Sequence, residues 1–388
     1  MALAGAAETH ARWAIAVFFF VNGFTVGSWA PQIPLLAERF SLSETMLGLL
    51  ILLFGLGAVM AMPVCGYLSV RHGTRAILRI TGVLCSFALL AVTAAPIMAL
   101  LLLALFAFGG LVGGMDVAMN SNAVVIERRF GRALMSSSHG FWSLGGFAGA
   151  GLGGILAEKL GHLGHAGVVT VLSFFLVLGA MPKLKGEEVQ APLGSRKRFA
   201  SFPRSSRVYL IGIIALFCMI PEGAVLDWAA LYLQQEMGAG LSVASLAFTA
   251  FCGTMALMRF LGDGVRNRLG AVTTMRISSL IAFIGMISAG VAPSPFVATL
   301  AFAFAGLGIA NMVPIAFSAA GNQPGISSAV GMSVATTIGY FGLLFAPSLI
   351  GFVAEHTGFA PIFIAFAALF GIVFLMSKLV RPADGVMH

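Results

Sequence analysis

The chain has 388 residues, 59% of them hydrophobic and 9% charged, with a formal net charge of +8. A soluble domain carries roughly 25% charged residues, so this chain lacks the polar surface to face water on all sides. The basic excess does not point to nucleic acid, because it is spread over short polar loops and forms no clustered face.

A hydrocarbon core needs about 20 apolar residues per helix. Runs of that kind predict spans near residues 13–36, 46–70, 75–94, 96–124, 134–157 and 166–181. Six more follow near 208–233, 241–265, 272–291, 295–320, 327–354 and 360–380. The expected fold class is an all-α integral membrane protein with twelve transmembrane helices. The run from Trp13 is too long for a signal-peptide core and has no Ala-x-Ala site, so it is expected to stay as the first helix. Cys65, Cys85, Cys218 and Cys252 lie in apolar stretches without paired spacing, which predicts packing residues, not disulfides or metal ligands. No cofactor is expected.

With the N-terminus inside, the outer loops hold only Arg39 and Lys159, leaving 20 of 22 basic residues on the cytoplasmic side or its helix ends. The positive-inside rule then predicts cytoplasmic N- and C-termini. A polar segment from Lys183 to Arg207, with seven basic and two acidic residues, reads as a cytoplasmic linker. It divides the chain into residues 1–182, the linker 183–207, and residues 208–388.

The two halves repeat. GILAEKLG at Gly154–Gly161 matches GFVAEHTG at Gly351–Gly358, and FAFGGL at Phe106–Leu111 matches FAFAGL at Phe302–Leu307. GSWAPQIPLL and LDWAALYLQQ align Trp29 with Trp228. These matches share one order and offsets of 196 to 199 residues. Such parallel repeats, related by an axis along the membrane normal, characterise one large class of carriers.

At GYLSVRHGTR, which keeps Gly66, Leu68, Arg71 and Gly73, the chain resembles the major facilitator superfamily, whose signature there is roughly G-x-L-A-D-R-x-G. Val70 stands where that family has Asp, and the counterpart DGVRNRLG keeps Asn267, Arg268 and Gly270. DVAMN (Asp116–Asn120), SSSHGFWSLGG (Ser136–Gly146) and EGAVLDW (Glu222–Trp228) are similar to the bacterial branch that includes YbjJ and the rhizopine transport protein MosC. The resemblance implies two pseudo-symmetric six-helix bundles in a bacterial inner membrane, acting as a monomer on a small-molecule substrate. It also implies a cytoplasmic gate at Arg71, Gly73, Arg75, Arg259, Asp263 and Arg268, with Asp263 taking up part of the missing acid's task.

Three acids fall well inside apolar spans: Asp116, Glu222 and Asp227. Each costs about 2.5–3.5 kcal/mol on insertion scales, so each is expected to face a cavity or a partner. The fourth and seventh spans line the central cavity in the resembled family. Asp116 with His139, or Glu222, is therefore the expected proton-coupling site, with direct Asp116–His139 pairing expected across the turn ERRFGR. Asn22, Asn120, Trp142, Asp227 and Asn311 are the expected substrate contacts. Trp29 and Trp228 read equally as interface-belt residues. Two small-residue stripes on the fifth span, Gly145/Gly149/Gly153 and Gly146/Ala150/Gly154, predict close helix contacts that rock. Pro221, Pro314 and Pro347 predict bends.

No His-Glu-x-x-His or Gly-x-Ser-x-Gly motif is present, which argues against an enzyme. The leading expectation is a secondary transporter for a small polar organic solute, of sugar, polyol or amino-sugar kind, coupled to protons by alternating access. Proton-driven multidrug or metabolite efflux is the alternative.

Overall fold

The computed structural model describes residues 2–130, 135–185, 205–324 and 328–386. Helices α1 (Ala2–Trp29) and α2 (Gln32–Phe40) form the first span, broken at Pro31, whose missing N–H cannot continue the ladder. Then come α3 (Glu44–His72), α4 (Thr74–Ala94), α5 (Met98–Phe130) and α6 (Met135–Ala180). The second half holds α7 (Ser206–Gln235), α8 (Leu241–Leu269) and α9 (Ala271–Gly290). It continues with α10 (Pro295–Ile309), α11 (Met312–Gly321), α12 (Ser328–Thr357) and α13 (Ala360–Met376). Most of the expected linker, residues 186–204, lies outside the described residues.

Eleven apolar stretches among the described residues are long enough to cross a bilayer. One of them runs for 47 residues through α6, and α6 is interrupted at Gly161, where φ is +72°. A left-handed residue ends a helix, so α6 supplies two antiparallel spans and the total is twelve. Gly358, between α12 and α13, has φ +78° and lies 197 residues further on. Gly73 and Gly270 form a second such pair, at φ +83° and +75°, each turning one span into the next. The repeat read from the sequence thus reappears as paired turns with the same rare backbone geometry.

Within each half six spans alternate in direction, so each half begins and ends at one end of the bundle (the termini end, opposite the far end). The halves meet where α6 packs on α8 and α12 packs on α3. Those two contacts exchange under the pseudo-twofold. Around the outside, large apolar side chains such as Leu375, Phe296 and Phe175 are 79%, 70% and 67% exposed. A surface this apolar is stable only against lipid.

The two glycine stripes of α6 serve different neighbours. Gly145 and Gly149 face the α1 backbone at Phe20, Phe24 and Ser28, within one half. Gly146 and Gly154 of the other stripe face Cys252 and Ser245 of α8, across the halves, and Gly151, outside both stripes, joins them against Thr249. Only the second stripe sits between the halves. The tenth span breaks at Ala310–Asn311, and Pro314 falls in the first turn of α11, where its missing N–H costs nothing. Pro221 and Pro347 do lie inside continuous helices.

Candidate functional site

Helices α1, α5 and α6 bring five polar side chains together in the first half. Asp116 and Asn120 stand one turn apart on α5, and Asn120 Nδ2 donates to Asp116 Oδ1 at 3.1 Å and to its carbonyl at 2.9 Å. On the other side, Asn120 Oδ1 lies 3.1 Å from His139 Nε2 of α6. With the amide nitrogen committed to the carboxylate, its oxygen accepts and His139 Nε2 donates. Asp116 and His139 are therefore not directly paired, as the sequence suggested; Asn120 relays between them, and Phe19 packs edge-on against the imidazole at 5.3 Å.

Asn22, expected among the substrate contacts, is enclosed by its own half. It is 1% exposed, donates to the Val112 carbonyl at 3.2 Å, and accepts from the Trp142 indole Nε1 at 2.9 Å. Its place is behind Trp142, fixing the plane of an indole that itself is partly exposed.

The second cluster joins the halves. Arg259 of α8 bonds Glu222 Oε1 of α7 through Nη2 at 3.0 Å, and Ser143 Oγ of α6 through Nη1 at 2.5 Å. Nε reaches toward the Ala310 carbonyl at 3.5 Å, at the break in the tenth span. Three donor directions of one planar guanidinium thus hold three elements, a geometry lysine lacks. Glu222 and Arg259 remain 23% and 12% exposed, so the pair is reached by solvent. Arg259 is not with the gate residues: it stands ten residues, about 15 Å, before the end of α8. Ser143, one turn after His139, went unnoticed in the sequence because nothing local distinguishes it from the serines around it. Tyr340 of α12 was missed too; it lies within electrostatic range of both Asp116 and Glu222.

Asn311, 8% exposed, donates to the Met258 carbonyl at 3.2 Å and lies over Gly262, pinning the helix break to α8. Asp227 is likewise buried at 8%, five residues beyond Glu222, and no hydrogen bond among the described residues ties it to the Glu222–Arg259 pair. Trp29 and Trp228 are 3% and 0% exposed, packed on Phe108 and Phe359. They are core residues and form no interface belt.

At the termini end, Arg71, Arg75 and Arg268 are exposed and Gly73 makes the α3–α4 turn. The side chain of Asp263 lies outside the described residues. Here the acid comes from an unexpected place: Asp384, beyond α13, accepts from the Ala271 N–H at 2.8 Å and caps α9. Arg266 holds Ser318 Oγ at 3.1 Å and also donates to the Ala383 carbonyl. Among the described residues no cluster of three metal-ligating side chains occurs.

The family model of the Major Facilitator Superfamily matches residues 15–340. The chain belongs to that superfamily. Among superfamily relatives it is 37% identical to an MFS-type transporter of Yersinia pestis, over 89% of each chain. It is 34% identical to membrane protein MosC of Rhizobium meliloti, over 89% of this chain and 84% of that one. Among solved superfamily structures it is similar to a D-xylose–proton symporter at a TM-score of 0.74, 16% identity, and 96% and 97% coverage. The likeness in fold extends over nearly the whole of both chains. The protein is a multi-pass membrane transporter, and the family and its fold are not those of enzymes.

Proposed function

We propose that this superfamily member is a secondary transporter that moves a small polar organic solute, of sugar, polyol or amino-sugar kind, by alternating access coupled to protons. In this reading it acts as a monomer in a bacterial inner membrane, with both termini cytoplasmic. The observation that carries the reading is the polar seam. Arg259 ties Glu222 in its own half to Ser143 in the other, and the Asp116–Asn120–His139 relay begins one turn away on α6. Acids at such depth are stable only beside water or a partner. A solute that competes for Arg259 or Glu222 would loosen the bond between halves, which is what a rocking cycle requires.

The two clusters divide the work. Trp142, held by Asn22, offers an indole face to a sugar ring or a cationic amine. Asp116 has the Asn120 amide as its partner, and through it the His139 imidazole, but no arginine or lysine bond among the described residues. No bond to its remaining oxygen occurs among the described residues, which leaves that oxygen to a proton or a donor on the solute, and Asn120 couples its state to His139. The solved D-xylose–proton symporter, alike in fold at 16% identity, supports this kind of cargo and coupling.

A thermal-shift screen of the purified protein against a solute library identifies the cargo, because a ligand that binds the native state raises the melting temperature. Flux of that solute into proteoliposomes under an imposed pH gradient then tests the coupling. Asp116→Asn is expected to keep solute exchange between the two sides and to lose accumulation driven by the gradient. Full gradient-driven accumulation in that variant would remove Asp116 from the coupling site. Stabilisation by hydrophobic cations alone, with no sugar or polyol active, would favour multidrug efflux instead.

A further inference from the structure

The repeated segments GILAEKLG and GFVAEHTG share an acid that the transport site does not use: Glu158 in the first half and Glu355 in the second. Both lie at the far end and both are exposed. Glu158 Oε1 accepts from the Ser242 N–H at 2.8 Å, in the first turn of α8. Glu355 Oε2 accepts from the Thr45 N–H at 3.0 Å, in the first turn of α3. Each bond crosses from one half to the other. Glu158 and Glu355 are 197 residues apart, and so are Thr45 and Ser242. One contact therefore occurs twice, related by the pseudo-twofold, with donor and acceptor halves exchanged.

The backbone is fitted closely around both. A Cβ on Gly154 would lie 2.5 Å from Ser245 Oγ and 3.0 Å from Ser242 Cα. A Cβ on Gly351, 197 residues later, would meet the Glu44 backbone and lie 3.1 Å from the Trp228 ring. Ser348 Oγ adds a bond to the Gly48 carbonyl at 3.3 Å on the second side. The glycines let helices approach until a carboxylate reaches the unpaired N–H groups of the opposing helix start, where the helix dipole favours negative charge. Exposure keeps each contact weak and reversible.

We propose that Glu158 and Glu355 are a paired latch that closes the far end, and that releasing both carboxylates is the step that opens it. The inference rests on the alternating-access reading above. With the carboxylates seated, α6 is held to α8 and α12 to α3, and the far ends of the halves cannot part. With both released, the Ser348–Gly48 bond is the one polar contact described above that is left there, beside apolar and glycine contacts that slide.

The test is a distance measurement on the full chain in proteoliposomes. Cys65, Cys85, Cys218 and Cys252 are replaced by alanine, and spin labels are attached to cysteines at Leu163 and Gln235, on opposite halves at the far end. A charge at a helix start shifts an equilibrium about 2- to 5-fold. Glu158→Gln or Glu355→Gln alone is thus expected to raise the long-distance population by about that factor, and the double variant by about 4- to 25-fold. Glu236 is the control: its carboxylate accepts from the Phe359 N–H in the same manner but inside one half, so Glu236→Gln leaves the distribution unchanged. A double variant within twofold of wild type, or an equal shift in Glu236→Gln, overturns the latch. A single fixed distance in every variant, with and without solute, instead overturns alternating access itself.

Discussion

Replacing Arg259 with alanine is expected to abolish transport and to lower the stability of the folded protein by about 2–4 kcal/mol. Removing one member of a fully buried pair costs about 3–5 kcal/mol, because the other charge is left without compensation. Here Glu222 is 23% exposed, so water recovers part of that cost. The loss also strands Ser143 Oγ and frees the Ala310 carbonyl, which removes the polar link between α6 and α8 at the depth of the seam. Glu222→Leu with Arg259→Met separates the two effects. An apolar replacement of a buried pair is often neutral for stability, so the double variant is expected to unfold within about 1 kcal/mol of wild type. It should still transport nothing. Thermal unfolding in detergent and solute counterflow in proteoliposomes read the two quantities. Transport by the double variant at near wild-type rates would reduce the pair to a structural bond.

The second large effect is in the packing of α1 on α6. Gly149→Leu is expected to prevent folding. A Cβ at position 149 would lie 2.8 Å from the Ser28 N and against the Phe24 carbonyl, and both are backbone atoms that cannot turn aside. Overpacking of a tight core costs about 1–3 kcal/mol, and more where only backbone can yield. Gly179→Leu is the contrast, since nothing lies within 4 Å of a Cβ there. That variant is expected to fold with a melting temperature within a few degrees of wild type, by the usual scale of substitutions in open space. Size-exclusion profiles and yield after membrane extraction distinguish the outcomes.

These two cases show where the sequence speaks and where it stops. Span number was legible because length and apolarity alone decide whether a helix crosses a bilayer. The pseudo-twofold was legible because paired motifs kept their offset, and the left-handed glycines at 73, 270, 161 and 358 now give it a backbone cause. Which stripe of α6 faced which neighbour was not legible. Gly149 and Gly151 look alike in sequence, and only the arrangement of α1 and α8 assigns them.

The polar residues divide in the same way. Asp116, Glu222 and His139 stand out from the sequence, since an ionisable group in an apolar span has an insertion cost to explain. Their partners do not. Asn120 as a relay depends on the amide lying between two helices, and Arg259 on Glu222 spans 37 residues of chain. Arg259 was drawn toward the gate by its nearness to DGVRNRLG, whereas α8 runs on to Leu269 and leaves it at the depth of the seam. Trp29 and Trp228 resembled belt residues only because their depth was judged from the ends of spans. Asp384, as the cap of α9, comes from 113 residues away and has no local sign.

The central claim is that Asn120 and Glu222 border one water-filled path between the halves. It is tested most directly by placing single cysteines at these two positions, in the background without native cysteines, and adding a membrane-impermeant thiol reagent to sealed vesicles of known orientation. Both positions are expected to react from at least one side, while a cysteine at the outward-facing Leu375 stays unreactive. Positions 120 and 222 both remaining as inert as 375, from either side, would contradict it.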